Sequence, residues 1–145
     1  MRVQGGMSVT MAVAERAWCV VVPHHAQGAQ QARHRLAAEL VGVLPPALLS
    51  DVVAVVAELV GNAVRHAGPL PGGVVRVAWR VRDFGGVNAV EVRVTDGGST
   101  VALPTPRIAG PEELDGRGLT IVEALADRWG VEKDGLGQSV WAELS

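Results

Sequence analysis

The most constraining feature of this sequence is an apolar helix that carries one polar stripe. Residues 51–66 are rich in valine, alanine and leucine, yet Glu58, Asn62 and His66 recur among them at four-residue spacing. Four-residue steps place side chains on one face of a helix. A polar stripe on a core helix costs stability unless something satisfies it. Either a ligand or metal binds these side chains, or the stripe is the solvated face of an ordinary amphipathic helix.

Composition narrows the class of protein. The chain has 145 residues, is 48% hydrophobic, and contains one Phe and no Tyr. It predicts one domain with an aliphatic core and no aromatic platform for single-stranded nucleic acid. The net charge of −2 argues against electrostatic binding of nucleic acid or of an acidic membrane. Cys19 is the single cysteine, so an internal disulfide is excluded, and its valine neighbours predict a buried thiol.

The N-terminal segment is expected to lie outside the domain. Residues 1–16 contain adjacent glycines, and Glu15 and Arg16 interrupt their apolar stretch. They predict a flexible leader rather than a signal peptide. The domain is expected to span residues 17–145, and the protein to be cytoplasmic.

Two periodicities alternate along the rest of the chain. Helical spacing predicts helices over residues 26–44, 51–66 and 119–129. Alternation and short apolar runs predict strands over residues 18–22, 74–81, 89–95, 131–133 and 139–144. Residues 97–115 predict a long functional loop. The sum is an α+β fold, a two-layer sandwich in which three helices cover one face of a mixed, mainly antiparallel sheet.

Two glycine motifs accompany the polar stripe. Residues 96–98 (Asp-Gly-Gly) follow a strand. An acid there can accept a hydrogen bond from an exocyclic amine beside a flat ring, although Asp-Gly also simply reverses a chain. Residues 116–119 (Gly-Arg-Gly-Leu) open the last helix, where free N–H groups suit phosphate. They form neither a dinucleotide fingerprint nor a P-loop, because the third glycine and the Gly-Lys-Ser/Thr are missing.

In this order the motifs resemble a known family. A helical E-x-x-x-N, a strand ending in D-x-G, a long loop and a G-x-G that opens a helix are similar to the ATP-binding domain with the Bergerat fold. Histidine kinases, a heat-shock chaperone, type II topoisomerases and MutL share this GHKL domain. The chain most resembles the stand-alone anti-sigma-factor serine kinases and their actinobacterial relatives. The resemblance covers roughly residues 18–144 and is carried by residues 58–67, 94–98 and 116–130.

The resemblance implies that the domain binds ATP and Mg²⁺. It implies that Asn62 binds the metal, that Glu58 is the general base in kinase members, and that Asp96 holds the adenine amino group. Residues 99–115 would form a lid, and Arg117 would reach a phosphate or remain solvated. The nucleotide-contacting residues implied in this way are Asn62, His66, Asp96, Gly98, Gly116, Arg117, Gly118, Leu119 and Ser139.

The sequence leaves two functions open. The first is a serine-protein kinase anti-sigma factor, which sequesters a sigma factor and phosphorylates a small antagonist protein; Glu58 favours it. The alternative is a non-catalytic module, ATP-gated or nucleotide-free. Thr100 favours the alternative, because it replaces the last glycine of the family's D-x-G-x-G and lacks glycine's freedom at positive φ. Both hypotheses expect no direct nucleic acid or membrane and allow a homodimer. A histidine-kinase fragment is disfavoured, since no helix pair carries a phosphoaccepting histidine.

Overall fold

Five strands and three helices form the described part of the chain, which comprises residues 13–98, 117–133, 135 and 137–145 of a computed structural model. In chain order the elements are β1 (Val13–Pro23), α1 (Ala26–Leu40), α2 (Pro46–His66), β2 (Val74–Phe84), β3 (Val87–Asp96), α3 (Arg117–Leu125), β4 (Arg128–Lys133) and β5 (Gln138–Leu144). The strands make one sheet in the order β1-β2-β3-β5-β4. Each of these four pairings is antiparallel. The predicted α+β two-layer sandwich is confirmed.

Strict alternation divides the sheet into an apolar face and a charged face. On β2, the side chains of Val75, Val77 and Trp79 are buried, while those between them reach the outer face. The outer face carries ion pairs across strands, such as Arg80 with Glu91 of β3. Burial would raise the pKa of Glu91, but the hydrogen bonds and the positive charges of Arg80 and Arg93 together outweigh burial and lower that pKa. The charged face of the sheet is therefore the solvent-facing one, and the helices cover the apolar face.

Helix α2 forms the centre of the helical layer. Pro46 occupies its first turn, where the missing N–H costs nothing. One apolar row of the helix is buried in the core: Val52, Val55, Val56, Leu59, Val60 and Ala63. By length and composition alone α2 could cross a membrane, but here this row packs into the same core as the sheet. Helix α3 packs against α2.

Several predicted boundaries are wrong, and strand pairing explains most of the differences. The first strand begins at Val13 instead of residue 18, because residues 13–17 pair with β2. The helix predicted over residues 119–129 ends at Leu125, and Trp129 belongs to β4 and pairs with Ala142. The second helix begins at Pro46, before the predicted start at residue 51. Residues 1–12 of the predicted leader lie outside the described chain.

The prediction of a buried Cys19 is also wrong. Trp18 pairs with Trp79, and the two rings stack with centroids 6.2 Å apart on the helix-covered face. Cys19 is the next residue along the edge strand, so alternation turns its thiol to the outer face, where it is exposed.

Candidate functional site

The polar stripe predicted from the sequence lies on α2. Glu58 and Asn62 are half-buried on successive turns, and His66 is exposed at the end of the helix. The Oδ1 atom of Asn62 accepts a hydrogen bond of 2.9 Å from Nη2 of Arg65. Arg65 reaches back over Gly61, where a Cβ atom would lie 3.0 Å from Nη1 of the arginine. The oxygen expected to bind Mg²⁺ is therefore held by a cationic side chain.

Asp96 ends β3 as a buried acid. It is only 2% exposed, and its Oδ1 atom accepts a hydrogen bond of 2.7 Å from the backbone N–H of Gly98. Gly98 has a φ of +85°, a conformation that suits glycine. Burial raises the pKa of Asp96 above its ordinary value, and the Gly98 N–H and the charge of His24 offset only part of that increase. A buried acceptor of this kind suits a hydrogen-bond donor on a ligand.

Backbone hydrogen bonds tie the end of β3 to the loop after α2. The N–H of Gly97 donates to the carbonyl of Gly68 at 2.8 Å, and the N–H of Gly68 donates to the carbonyl of Gly98 at 2.9 Å. We call this backbone pairing the glycine clamp. A Cβ atom on Gly97 would lie 2.1 Å from the carbonyl oxygen of Pro69. The clamp therefore requires glycine at position 97 for reasons of space, and it fixes the path of the chain that follows Asp96.

His24, which follows β1, contacts the C-terminal end of α2 in the same region. Its Nε2 atom lies 3.1 Å from the carbonyl oxygen of Ala63 and 2.7 Å from that of Ala67, both at the end of α2. The carbonyl of Ala63 already accepts the N–H of Ala67, whereas the carbonyl of Ala67 lies at the C-cap, where an imidazole N–H can serve as a partner. The ends of β1, α2 and β3 thus meet around Asp96. Sequence reasoning missed His24 because nothing local marks this long-range contact.

The start of β5 faces the end of β3. Gln138 pairs directly with Asp96, and Ser139 pairs with Thr95. A Cβ atom at Gly137 would lie 1.9 Å from the carbonyl oxygen of Asp96, so the two chains are in close backbone contact. The hydroxyls of Ser139 and Thr95 are 2.7 Å apart and buried. Because side chains alternate along a strand, the Thr95–Ser139 pair lies on the face of the sheet opposite to Asp96. The nucleotide contact that the resemblance implies for Ser139 stays a prediction.

Helix α3 carries the part of the G-x-G motif that the structure describes. The helix begins at Arg117, includes Gly118, and buries Leu119 to 7% exposure. Gly116, the predicted lid of residues 99–115 and the side chain of Arg117 lie outside the described part of the chain. The phosphate-binding role implied for this motif therefore stays a prediction.

The described residues fit an adenine nucleotide in one respect that sequence reasoning missed. The Oε1 atom of Gln138 is buried and has no hydrogen-bond partner among the described residues, and Gln138 is the direct partner of Asp96. Buried polar groups are normally paired, so this atom is suited to a bound group. The described residues contain no cluster of three His, Cys, Asp or Glu that could hold a metal. Mg²⁺ held by Asn62 would depend mainly on phosphate and water ligands, as Mg²⁺ usually does.

The sequence comparison agrees with this architecture. Residues 21–144 match the family profile of the histidine kinase-like ATPase domain. The match covers most of the chain, and the protein belongs to this family. Family membership indicates an ATP-binding regulatory protein, and such domains bind ATP, typically with Mg²⁺. No curated protein matches the chain.

Proposed function

We propose that the protein is a cytoplasmic serine-protein kinase that acts as an anti-sigma factor. It would bind MgATP, transfer the γ-phosphate to a serine of a small antagonist protein, and sequester a sigma factor when that antagonist is phosphorylated. Membership of the ATPase family supports nucleotide binding. The resemblance of the three motifs to anti-sigma-factor kinases supports the choice of partners.

The single observation that carries the proposal is the buried carboxylate of Asp96. It lies at the end of β3, is fixed by the N–H of Gly98, and has a pKa raised by burial. A fold keeps an acid in such a place at a cost to stability, so a ligand donor is a physical reason to retain it. The exocyclic amine of adenine is a donor of the right kind.

Glu58 is the residue that supports phosphotransfer rather than binding alone. It lies one helical turn before Asn62 on the same face of α2 and is half-buried. In this proposal the carboxylate of Glu58 would accept the proton of a serine hydroxyl as that oxygen attacks the γ-phosphate, while Asn62 would bind the metal ion. A protein that only binds nucleotide has no need of such a base.

Calorimetric titration of MgATP tests the proposal with three variants. Asp96→Asn should weaken ATP binding at least about tenfold, since a charge-assisted hydrogen bond is lost. Glu58→Gln should bind ATP within about twofold of wild type while phosphotransfer to antagonist proteins falls about 10²–10⁴-fold. Glu39→Gln is the matched control, because Glu39 is an exposed acid on α1. No ATP binding by the wild type, or full phosphotransfer by Glu58→Gln, would contradict the kinase proposal.

One observation favours a second function, that of a non-catalytic, ATP-gated or nucleotide-free binding module. Arg65 donates a hydrogen bond to the amide oxygen of Asn62 and brings a positive charge next to it, which disfavours a metal ion at that oxygen. A weak metal site suits a switch better than an enzyme. This alternative predicts binding of a partner protein that Glu58→Gln leaves unchanged.

A further inference from the structure

Gln138 lies beside the predicted adenine contact, on the face of the sheet that the helices cover. It pairs with Asp96 across β3 and β5, and Val94 pairs with Val140 two residues further along. Side chains of directly opposed residues in antiparallel strands point to the same face. Val94 is buried in the core, and Val140 packs against that core. Asp96 and Gln138 therefore share the apolar face.

The side chain of Gln138 is enclosed without being satisfied. The residue is 6% exposed, and its Oε1 atom has no hydrogen-bond partner among residues 13–98, 117–133, 135 and 137–145. Burying an amide oxygen unpaired is unfavourable. The next residue, Ser139, shows the usual solution, since its hydroxyl pairs with that of Thr95. Of these two neighbours, Gln138 is the one whose buried acceptor atom, Oε1, has no partner among the described residues.

We propose that Gln138 is a specificity-determining residue that, together with Asp96, selects a purine carrying an exocyclic amino group at its 6-position. This inference rests on the proposed nucleotide binding. An amino group has two N–H donors, and the Asp96 carboxylate and the Gln138 amide oxygen supply two acceptors from adjacent strands. A purine that presents a carbonyl oxygen at this position would bring an acceptor against the carboxylate and bind more weakly.

The test measures calorimetric dissociation constants of ATP and of purine riboside triphosphate, which lacks the 6-amino group, in the presence of Mg²⁺. Wild type should prefer ATP by about 100-fold or more. Gln138→Leu removes the amide at nearly constant volume. It should weaken ATP binding about tenfold and leave the affinity for purine riboside triphosphate within about twofold. The preference for ATP should therefore shrink about tenfold.

Two further variants separate recognition from structure. Gln138→Met keeps an unbranched chain of similar length and should reproduce the loss of preference if the leucine variant folds poorly. Thr95→Val removes a buried hydroxyl on the opposite face of the same strand pair. It should lower thermal stability without changing the ratio of the two affinities. The ligand-free Gln138→Leu protein should melt at or above the wild-type temperature, because an unpaired buried acceptor has been removed.

The outcomes distinguish failure of the inference about Gln138 from failure of the proposed nucleotide binding. If Gln138→Leu and Gln138→Met weaken both nucleotides equally, or weaken neither, the inference is overturned while ATP binding stands. A lower melting temperature of both variants with an unchanged preference for ATP would make Gln138 a structural amide and also overturn it. If the wild type binds neither nucleotide at millimolar concentration, both the inference and the proposed function are overturned.

Discussion

Replacing Gly97 by alanine should disrupt the glycine clamp. The new Cβ atom would lie 2.1 Å from the carbonyl oxygen of Pro69 and 2.8 Å from its carbonyl carbon. Both are backbone atoms, so no rotamer change can relieve the contact, and the two chains must separate by roughly 1 Å. The hydrogen bonds that join Gly68 to Gly97 and Gly98, at 2.8 and 2.9 Å, are lengthened or lost.

The magnitude follows from these two effects. Overpacking of this kind costs about 1–3 kcal/mol, and each lost backbone hydrogen bond costs about 0.5–1.5 kcal/mol. The free energy of unfolding should fall by about 2–6 kcal/mol when both hydrogen bonds are lost. For a domain of this size about 3 °C corresponds to 1 kcal/mol, so the melting temperature should fall by about 6–18 °C. Affinity for ATP should fall as well, because the clamp fixes the chain that directly follows Asp96.

Thermal unfolding followed by circular dichroism measures this change. Gly135→Ala is the matched control: no described atom lies within 4 Å of the position its Cβ would take, and Gly135 is exposed. It should melt within about 2 °C of wild type. If Gly97→Ala behaves like Gly135→Ala in both melting temperature and ATP affinity, the clamp does not position Asp96 and the reasoning is refuted.

Three further variants test other parts of the site. Asp96→Asn should stabilise the ligand-free protein at pH 7, because burial raises the pKa of Asp96 and its ionised form is unfavourable in the fold. This gain in the free energy of unfolding should shrink as the pH falls from the raised pKa of Asp96 towards the ordinary pKa of an aspartate. An equal gain at every pH would contradict this. Gly61→Ala should raise the unfolding free energy by about 0.5–1 kcal/mol, since its Cβ meets only the flexible end of Arg65; a lower melting temperature would show that Arg65 cannot move. Arg65→Ala should lower the Mg²⁺ concentration that gives half-maximal ATP binding, since it frees the oxygen of Asn62, and an unchanged Mg²⁺ titration would exclude competition.

The sequence predicts those elements whose pattern is set by burial alone. The β2–β3 hairpin was predictable because Val75, Val77, Val92 and Val94 alternate with polar residues and are all buried. Helix α2 was predictable because its apolar content demands a core position. In both cases the local periodicity and the tertiary environment agree, so the local signal is sufficient.

Long-range pairing determines what the sequence could not show. The sequence predicts that Glu15 belongs to a flexible leader, but in the structure it forms an ion pair with Arg82 of the neighbouring strand. Trp129 continues the helical spacing of α3, yet its pairing with Ala142 places it in β4. Gln138 gained a candidate role only from its position opposite Asp96. Among the described residues, the stripe and the acid of the site were predicted, and the contacts that hold the acid were not.

The pairing of β3 with β5 has a consequence for the kinetics of folding. The β2–β3 and β4–β5 pairs each join strands that are close in sequence, whereas β3 and β5 join across the long segment that contains α3. Closing that loop is entropically expensive and belongs late in assembly. Asp96 and Gln138 form the pair at one end of this junction. A nucleotide bound there would stabilise contacts that form after the transition state, so it would slow unfolding more than it would speed folding.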